Sequence, residues 1–271
     1  MAGVVAATEP GVRWQRPAPA VRPWVATYTG YRMEAGPPGV HIGVPSPHLT
    51  FLLCLDGAIQ MVGDTPGRFG AMVAGLHDVP DRIAQGEAQT GIQLRLTWRG
   101  ARALFGTRAG DLAADIVDLD ALPGRCAAPL LDRLACAPTW PERFAVLDAE
   151  LTALAARGRG DRGVRPEVGY AWDRLEETGG NLRIADLAAE VGWSRRHLAE
   201  HFRAETGLAP KAAARVMRFE RACDRLRSPA RPSLAAVAAD GGYVDQAHLS
   251  RDFRDLAGQT ATAWLADRPT P

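Results

Sequence analysis

Two kinds of hydrophobic pattern divide the chain. Up to Trp98 the apolar positions come in short continuous or alternating runs, the pattern of strands. Residues 49–55 are apolar apart from Thr50, and residues 58–62 follow Asp56 and Gly57, a turn pair that predicts a hairpin. Residues 92–98 read Ile-Gln-Leu-Arg-Leu-Thr-Trp, the period-two alternation of a half-buried strand. Residues 40–44 and 70–75 are weaker strand candidates. After Gly100 the pattern turns helical, with short helices expected over 101–105 and 112–117. Thr139, Trp140, Pro141 and Glu142 form a capping box with an early proline, which opens a helix reaching about Ala156. That helix suits packing within its own domain or an amphipathic dimer contact. Arginine and glycine between 157 and 166 break all periodicity. Beyond Pro166 every apolar run has helical spacing: 167–177, two short helices around Gly192, a long one over 210–226, two short ones around Gly242, and a last one over 261–266.

The chain is therefore expected to be α+β. A Pro- and Gly-rich irregular lead-in spans 1–23. A strand-rich domain, barrel-like or double-sheet, spans 24–157 with trailing helices. A linker follows over 158–166, then an all-helical domain over 167–271.

The helical domain repeats itself. Leu187, Ala188, Ala189, Glu190, Gly192 and Trp193 correspond to Val237, Ala238, Ala239, Asp240, Gly242 and Tyr243 at an offset of fifty. His197, Leu198, Phe202, Arg203 and Gly207 correspond to His248, Leu249, Phe253, Arg254 and Gly258 at fifty-one. The extra residue falls at the turn, where insertions are tolerated. Each copy has the parts of a helix-turn-helix. Small alanines allow close helix approach. Gly192 and Gly242 stand where the turn needs positive φ. Ser194 and Asp245 are the expected caps of the second helix. Leu198 with Phe202, and Leu249 with Phe253, point to the core.

The opposite faces follow from about 100° of rotation per residue. The first holds Arg196, Glu200 and Arg203 with Ala199 at its edge, and Arg195 opens its helix. The second holds Ala247, Arg251 and Arg254 with Ser250 at its edge, and Gln246 in its first turn. Arginine suits guanine, glutamine suits adenine, and glutamate accepts from cytosine N4. Glu200 stands where Arg251 stands in the other copy, so the two units are expected to read different sequences. One chain should then recognise an asymmetric site.

Net charge of +1 gives no global attraction to nucleic acid, so affinity must come from local arginines. Lys211, Arg215, Arg218, Arg221, Arg225, Arg227 and Arg231 cluster on and after the joining helix as candidate phosphate contacts. Cys54, Cys126, Cys136 and Cys223 have no metal-binding spacing and read as buried free thiols of a reducing, cytoplasmic compartment. Neither a signal peptide nor a membrane span is expected. Lys211 is the only lysine, and with so much alanine and glycine the composition hints at GC-rich bacterial coding.

Residues 180–266 resemble the arabinose-regulator (AraC/XylS) family of transcription regulators. The matching stretches are Leu187 to Leu198, Phe202 to Gly207, Arg218 to Ala222 and Gly242 to Phe253. The resemblance implies seven helices, with two recognition helices (195–205 and 246–255) joined by a long one and entering successive major-groove segments of double-stranded DNA. By position, it implies base contacts from Arg196, Ala199, Glu200, Gln246, Ala247, Ser250 and Arg251. Ala261 replaces the family's usual proline, so a looser start to the last helix is expected. Leu249 replaces a frequent aromatic.

For the first domain the resemblance implies sensing of a small-molecule effector, homodimerisation, or both; transcription machinery is a further expected partner. His41, His48 and His77 are too scattered for a metal-binding barrel and are expected to line a cavity or sit in loops. Trp24, Tyr28, Tyr31 and Trp98 suit an aromatic pocket or simply core. No catalytic residue, metal or cofactor is expected. A sequence-specific regulator is the leading reading. The alternatives are a DNA-targeted enzyme or repair factor with its chemistry in the first domain, and a constitutive DNA binder whose first domain only dimerises.

Overall fold

The computed structural model describes residues 11–63, 66–157, 163–230 and 232–266. The first ten residues, residues 158–162 of the expected linker, and Arg231 lie outside the described residues.

The strands form two antiparallel sheets. One has the order β1 (Arg13–Gln15), β2 (Val25–Met33), β9 (Gln89–Leu96), β4 (Leu49–Asp56), β7 (Ala71–Ala74), β10 (Ile116–Asp118). The other runs β3 (Gly39–Gly43), β8 (Asp81–Gln85), β5 (Ile59–Met61), β6 (Gly67–Phe69). Of the two expected forms, the double sheet holds, and the sheets do not close into a barrel. Side-chain alternation explains the layering. Leu49, Phe51 and Leu53 of β4 join Ile92, Leu94 and Leu96 of β9 in a core against helices. Leu52 and Cys54 face the other way and meet Ile59 and Met61 of the second sheet. The polar positions of β9, Gln93 and Arg95, thus point between the sheets rather than into solvent.

Four local expectations change. The turn at Asp56 and Gly57 exists, but β4 and β5 do not pair. The register of β4 against β9 slips between Cys54 and Asp56, and this bulge turns the strand end out of its sheet. β5 then pairs with β6 and β8. The helix expected over 112–117 is absent: a tight turn at Ala109–Leu112 ends there, and β-branched Ile116 and Val117 extend the first sheet beside β7. Within the irregular lead-in, β1 pairs with β2 as an edge strand. Of the four thiols, Cys54 and Cys223 are buried, whereas Cys126 and Cys136 are exposed.

Helix α1 (Trp98–Gly100) continues as a wider turn over Ala101–Phe105. Helices α2 (Ala128–Cys136) and α3 (Trp140–Arg157) follow. The expected capping box starts α3: the Glu142 amide donates to Thr139 Oγ1 (3.4 Å), and the Thr139 amide donates to Glu142 Oε2 (3.0 Å). Phe144, Leu147 and Leu151 of α3 are buried in the first domain's own core. Asp148 accepts from the Tyr28 hydroxyl at 2.9 Å. The packing of α3 within its own domain is therefore the outcome.

The C-terminal part comprises, among the described residues, seven helices: α4 (Pro166–Glu177), α5 (Ile184–Glu190), α6 (Arg195–Thr206), α7 (Pro210–Leu226), α8 (Leu234–Asp240), α9 (Gln246–Ala257) and α10 (Ala261–Ala266). Its first half shares one continuous apolar core with the sheet domain. Trp98 packs on Trp172 of α4 (6.0 Å between ring centroids), and Trp172 stacks on Phe202 of α6 (5.7 Å). Arg102 grips Glu205 at the end of α6 through two bonds of 2.7 and 2.8 Å. Beside this pair, Gly110 lies so close to α6 that a Cβ there would sit 2.2 Å from the Ala204 carbonyl oxygen. Gly110→Val should therefore cost about 1–3 kcal/mol through overpacking. A lower denaturant midpoint would show it, and an unchanged midpoint would show that the contact yields.

Candidate nucleic-acid interface

The two helix-turn-helix units are built alike. In the first, the chain leaves α5 through Gly192 at φ 71°, and the Trp193 amide returns to the Ala188 carbonyl at 2.9 Å. In the second, it leaves α8 through Gly242 at φ 75°, and the Tyr243 amide returns to Ala238 at 3.0 Å. Both glycines take the left-handed conformation that the turn demands. Ser194 caps α6 by accepting from the His197 amide (3.2 Å), and Asp245 caps α9 by accepting from the His248 amide (2.7 Å). Leu198, Phe202, Leu249 and Phe253 are fully buried. Ala261 begins α10 without proline, yet that start is held: Thr260 Oγ1 accepts from the Ala263 amide at 3.2 Å.

The opposite faces lie outward. Arg195, Arg196, Glu200 and Arg203 are exposed on α6, with Ala199 half-buried at the edge. On α9, Gln246, Ala247, Ser250, Arg251 and Arg254 together line one shallow open depression. Among the described residues, none of Arg195, Arg196, Arg203, Arg251 and Arg254 forms an ion pair with a carboxylate.

The joining helix α7 differs from expectation. Several of its basic residues are spent within the protein. Arg215 bonds Asp252 (2.7 Å) and Asp255 (2.5 Å) of α9. Arg218 donates to the Gly180 carbonyl (2.6 Å), Arg225 pairs with Asp240 (2.7 Å), and Arg227 lies over the Trp264 ring. Lys211 and Arg221 remain exposed. Sequence spacing shows a basic helix, but it does not reveal the carboxylates that three-dimensional packing brings against it. Asp252 is buried against Tyr243, and burial first, then the charge of Asp252, holds the Tyr243 phenol far above its ordinary range.

A second candidate site lies between the two sheets, a cavity of about 120 Å³. His41, His48 and His77 all line it. Of the four aromatics considered for a pocket, Tyr31 lines it, Tyr28 and Trp98 are core, and Trp24 packs against the core. Sequence reasoning missed Arg95. The signal was a charged residue on the polar face of a strand flanked by apolar runs. Arg95 is 6% exposed and bonds both His48 Nδ1 (2.8 Å) and Glu220 of α7. Burial, and then the charge of Arg95, push the His48 imidazole well below its ordinary range, so Nδ1 accepts as a neutral ring. His77 Nε2 lies 3.2 Å from Asp81. Among the described residues, no three His, Cys, Asp or Glu side chains converge as a metal site would require, and no helix is long and apolar enough to cross a membrane.

Comparison with known proteins places these features. A family model described as a helix-turn-helix domain matches residues 187–267. No curated protein sequence matches the chain. Among solved structures, ToxT from Vibrio cholerae is similar over 95% of this chain and 98% of its own, with 10% identity and a TM-score of 0.55. Unsaturated fatty acid bound wild-type ToxT from Vibrio cholerae strain SCE256 is similar over 93% of this chain and 96% of its own, with 10% identity and a TM-score of 0.57. At such identity the likeness is one of fold, and it spans both domains.

Proposed function

From a C-terminal domain of the AraC/XylS helix-turn-helix type, we propose that the chain is a sequence-specific DNA-binding transcription regulator whose N-terminal domain responds to a small molecule. The observation that carries this is the selective state of the arginines. Those on and after α7 largely end on partners inside the domain, whereas the five on the outward faces of α6 and α9 meet no carboxylate among the described residues. An outward face of unneutralised guanidinium groups on two capped second helices suits the major groove.

Arg196, Ala199 and Glu200 of α6, with Gln246, Ala247, Ser250 and Arg251 of α9, are assigned to base edges. Arg195, Arg203 and Arg254 are assigned to the phosphate backbone. The sensor role rests on the cavity between the sheets; a fully packed first domain would have favoured one that only dimerises. ToxT bound to an unsaturated fatty acid shares the two-domain fold, which supports the same reading. A reader of promoter DNA works beside the transcription machinery in the cytoplasm, with no catalytic step of its own.

Salt provides the test. If Arg195, Arg203 and Arg254 each neutralise one phosphate, log affinity should fall with log salt at a slope of about −2.7. Binding that is insensitive to salt would contradict the assignment.

A further inference from the structure

Arg95 is a buried cation whose binding fork is half filled. Its Nη2 serves both His48 and Glu220, while Nε is buried and has no acceptor among the described residues. Arg102 and Arg215, which also reach across elements, each use Nε and Nη2 together on carboxylates. The unfilled edge of Arg95 belongs to a side chain that lines the cavity between the sheets. The rest of that wall is mixed: Met33, Leu52, Ile59, Met61, Met72 and Ile83 give it an apolar part, and His41, His77, Asp81, Gln85, Gln89 and Gln93 a polar one.

We propose that this cavity takes a compact monocarboxylate, which occupies Nε and Nη2 of Arg95 and displaces Glu220 of the joining helix. The inference rests on the sensor reading above and gives it a ligand class and a route. A paired fork is the strong way to hold a carboxylate. Nη2 now belongs to Glu220, and two carboxylates on one buried guanidinium would leave an uncompensated negative charge, so acid and Glu220 compete. Size sets the class further. A cavity of 150 Å³ holds benzene, so about 120 Å³ suits a short-chain or single-ring acid rather than a long acyl chain.

The displaced residue is well placed to matter. Glu220 lies on α7, the helix whose Arg215 ties down Asp252 and Asp255 of the second recognition helix. The wall of the cavity touches the same unit a second time, because Val44 is buried in one cluster with Phe219, Ala222 and Cys223 of α7. Arg95 therefore has two alternative partners, one of them on the element that carries α9. Binding of acid and binding of DNA should be coupled, and each must change the other's affinity by the same factor.

The test uses the full chain with benzoate and hexanoate as probes, benzyl alcohol as the uncharged analogue, and DNA selected from a random library. Benzoate or hexanoate should bind by calorimetry at least about tenfold more tightly than benzyl alcohol, and should shift DNA affinity. Glu220→Gln leaves Arg95 without its anion, so it should melt at a lower temperature, regain stability with benzoate but not with benzyl alcohol, and lose the coupling to DNA. Arg95→Met should lose the response to both acids. Equal binding of benzoate and benzyl alcohol, no binding of either acid at millimolar concentration, or a Glu220→Gln variant that gains nothing from benzoate would each overturn the proposal. Those failures with DNA selection intact would leave the regulator reading standing. Failure to select any DNA would strike that reading instead.

Discussion

Replacing Arg215 by methionine is expected to destabilise the protein by about 3–5 kcal/mol, because it leaves the Asp252 carboxylate buried without its cation. Asp252 is 3% exposed, and Arg215 Nε is bonded to it at 2.7 Å. The second bond, to the exposed Asp255, contributes little on its own. The loss should be read as a lower midpoint in denaturant unfolding. It should also weaken DNA binding, since Asp252 lies on the recognition helix α9, which this pair fastens to α7. The double variant Arg215→Met with Asp252→Leu should recover most of the stability, because removing both charges removes the penalty of stranding one. A single variant as stable as the wild type would mean that water already reaches Asp252.

Arg251→Ala is expected to weaken binding to the selected DNA site by about 1–3 kcal/mol, roughly ten- to a hundredfold, and to weaken binding to random DNA far less. Arg251 lies on the exposed face of α9 between Ala247 and Arg254, in the depression that all five predicted residues of that unit line. A base contact loses discrimination when it is removed, whereas a phosphate contact loses affinity everywhere. Competition assays with both DNAs separate the two. Equal losses would move Arg251 to the phosphate set.

What was legible in the sequence follows from how local each cause is. Gly192, Gly242, Ser194 and Asp245 act through their own turns, so their residue types and positions alone reveal their conformations. Leu198, Phe202, Leu249 and Phe253 follow from helical spacing alone. What escaped depends on distant partners. Asp56 and Gly57 specify a turn, but only the bulge in β4 against β9 decides that the chain changes sheet there. Ile116 and Val117 become a strand because the edge of β7 is available to pair with them. Arg215 looks like a phosphate contact until α9 brings Asp252 beside it. Arg95 looks like the solvent face of an alternating strand until a second sheet covers it.

The two units have the same backbone geometry but unlike faces, with Glu200 where Arg251 stands. The most direct test of that claim is hydroxyl-radical footprinting of the full chain on DNA selected from a random library, under conditions where one chain binds. Two protected major-groove segments about one helical turn apart, with different sequences, are the expected result. Failure to enrich any sequence, or protection of a single segment, would contradict the account.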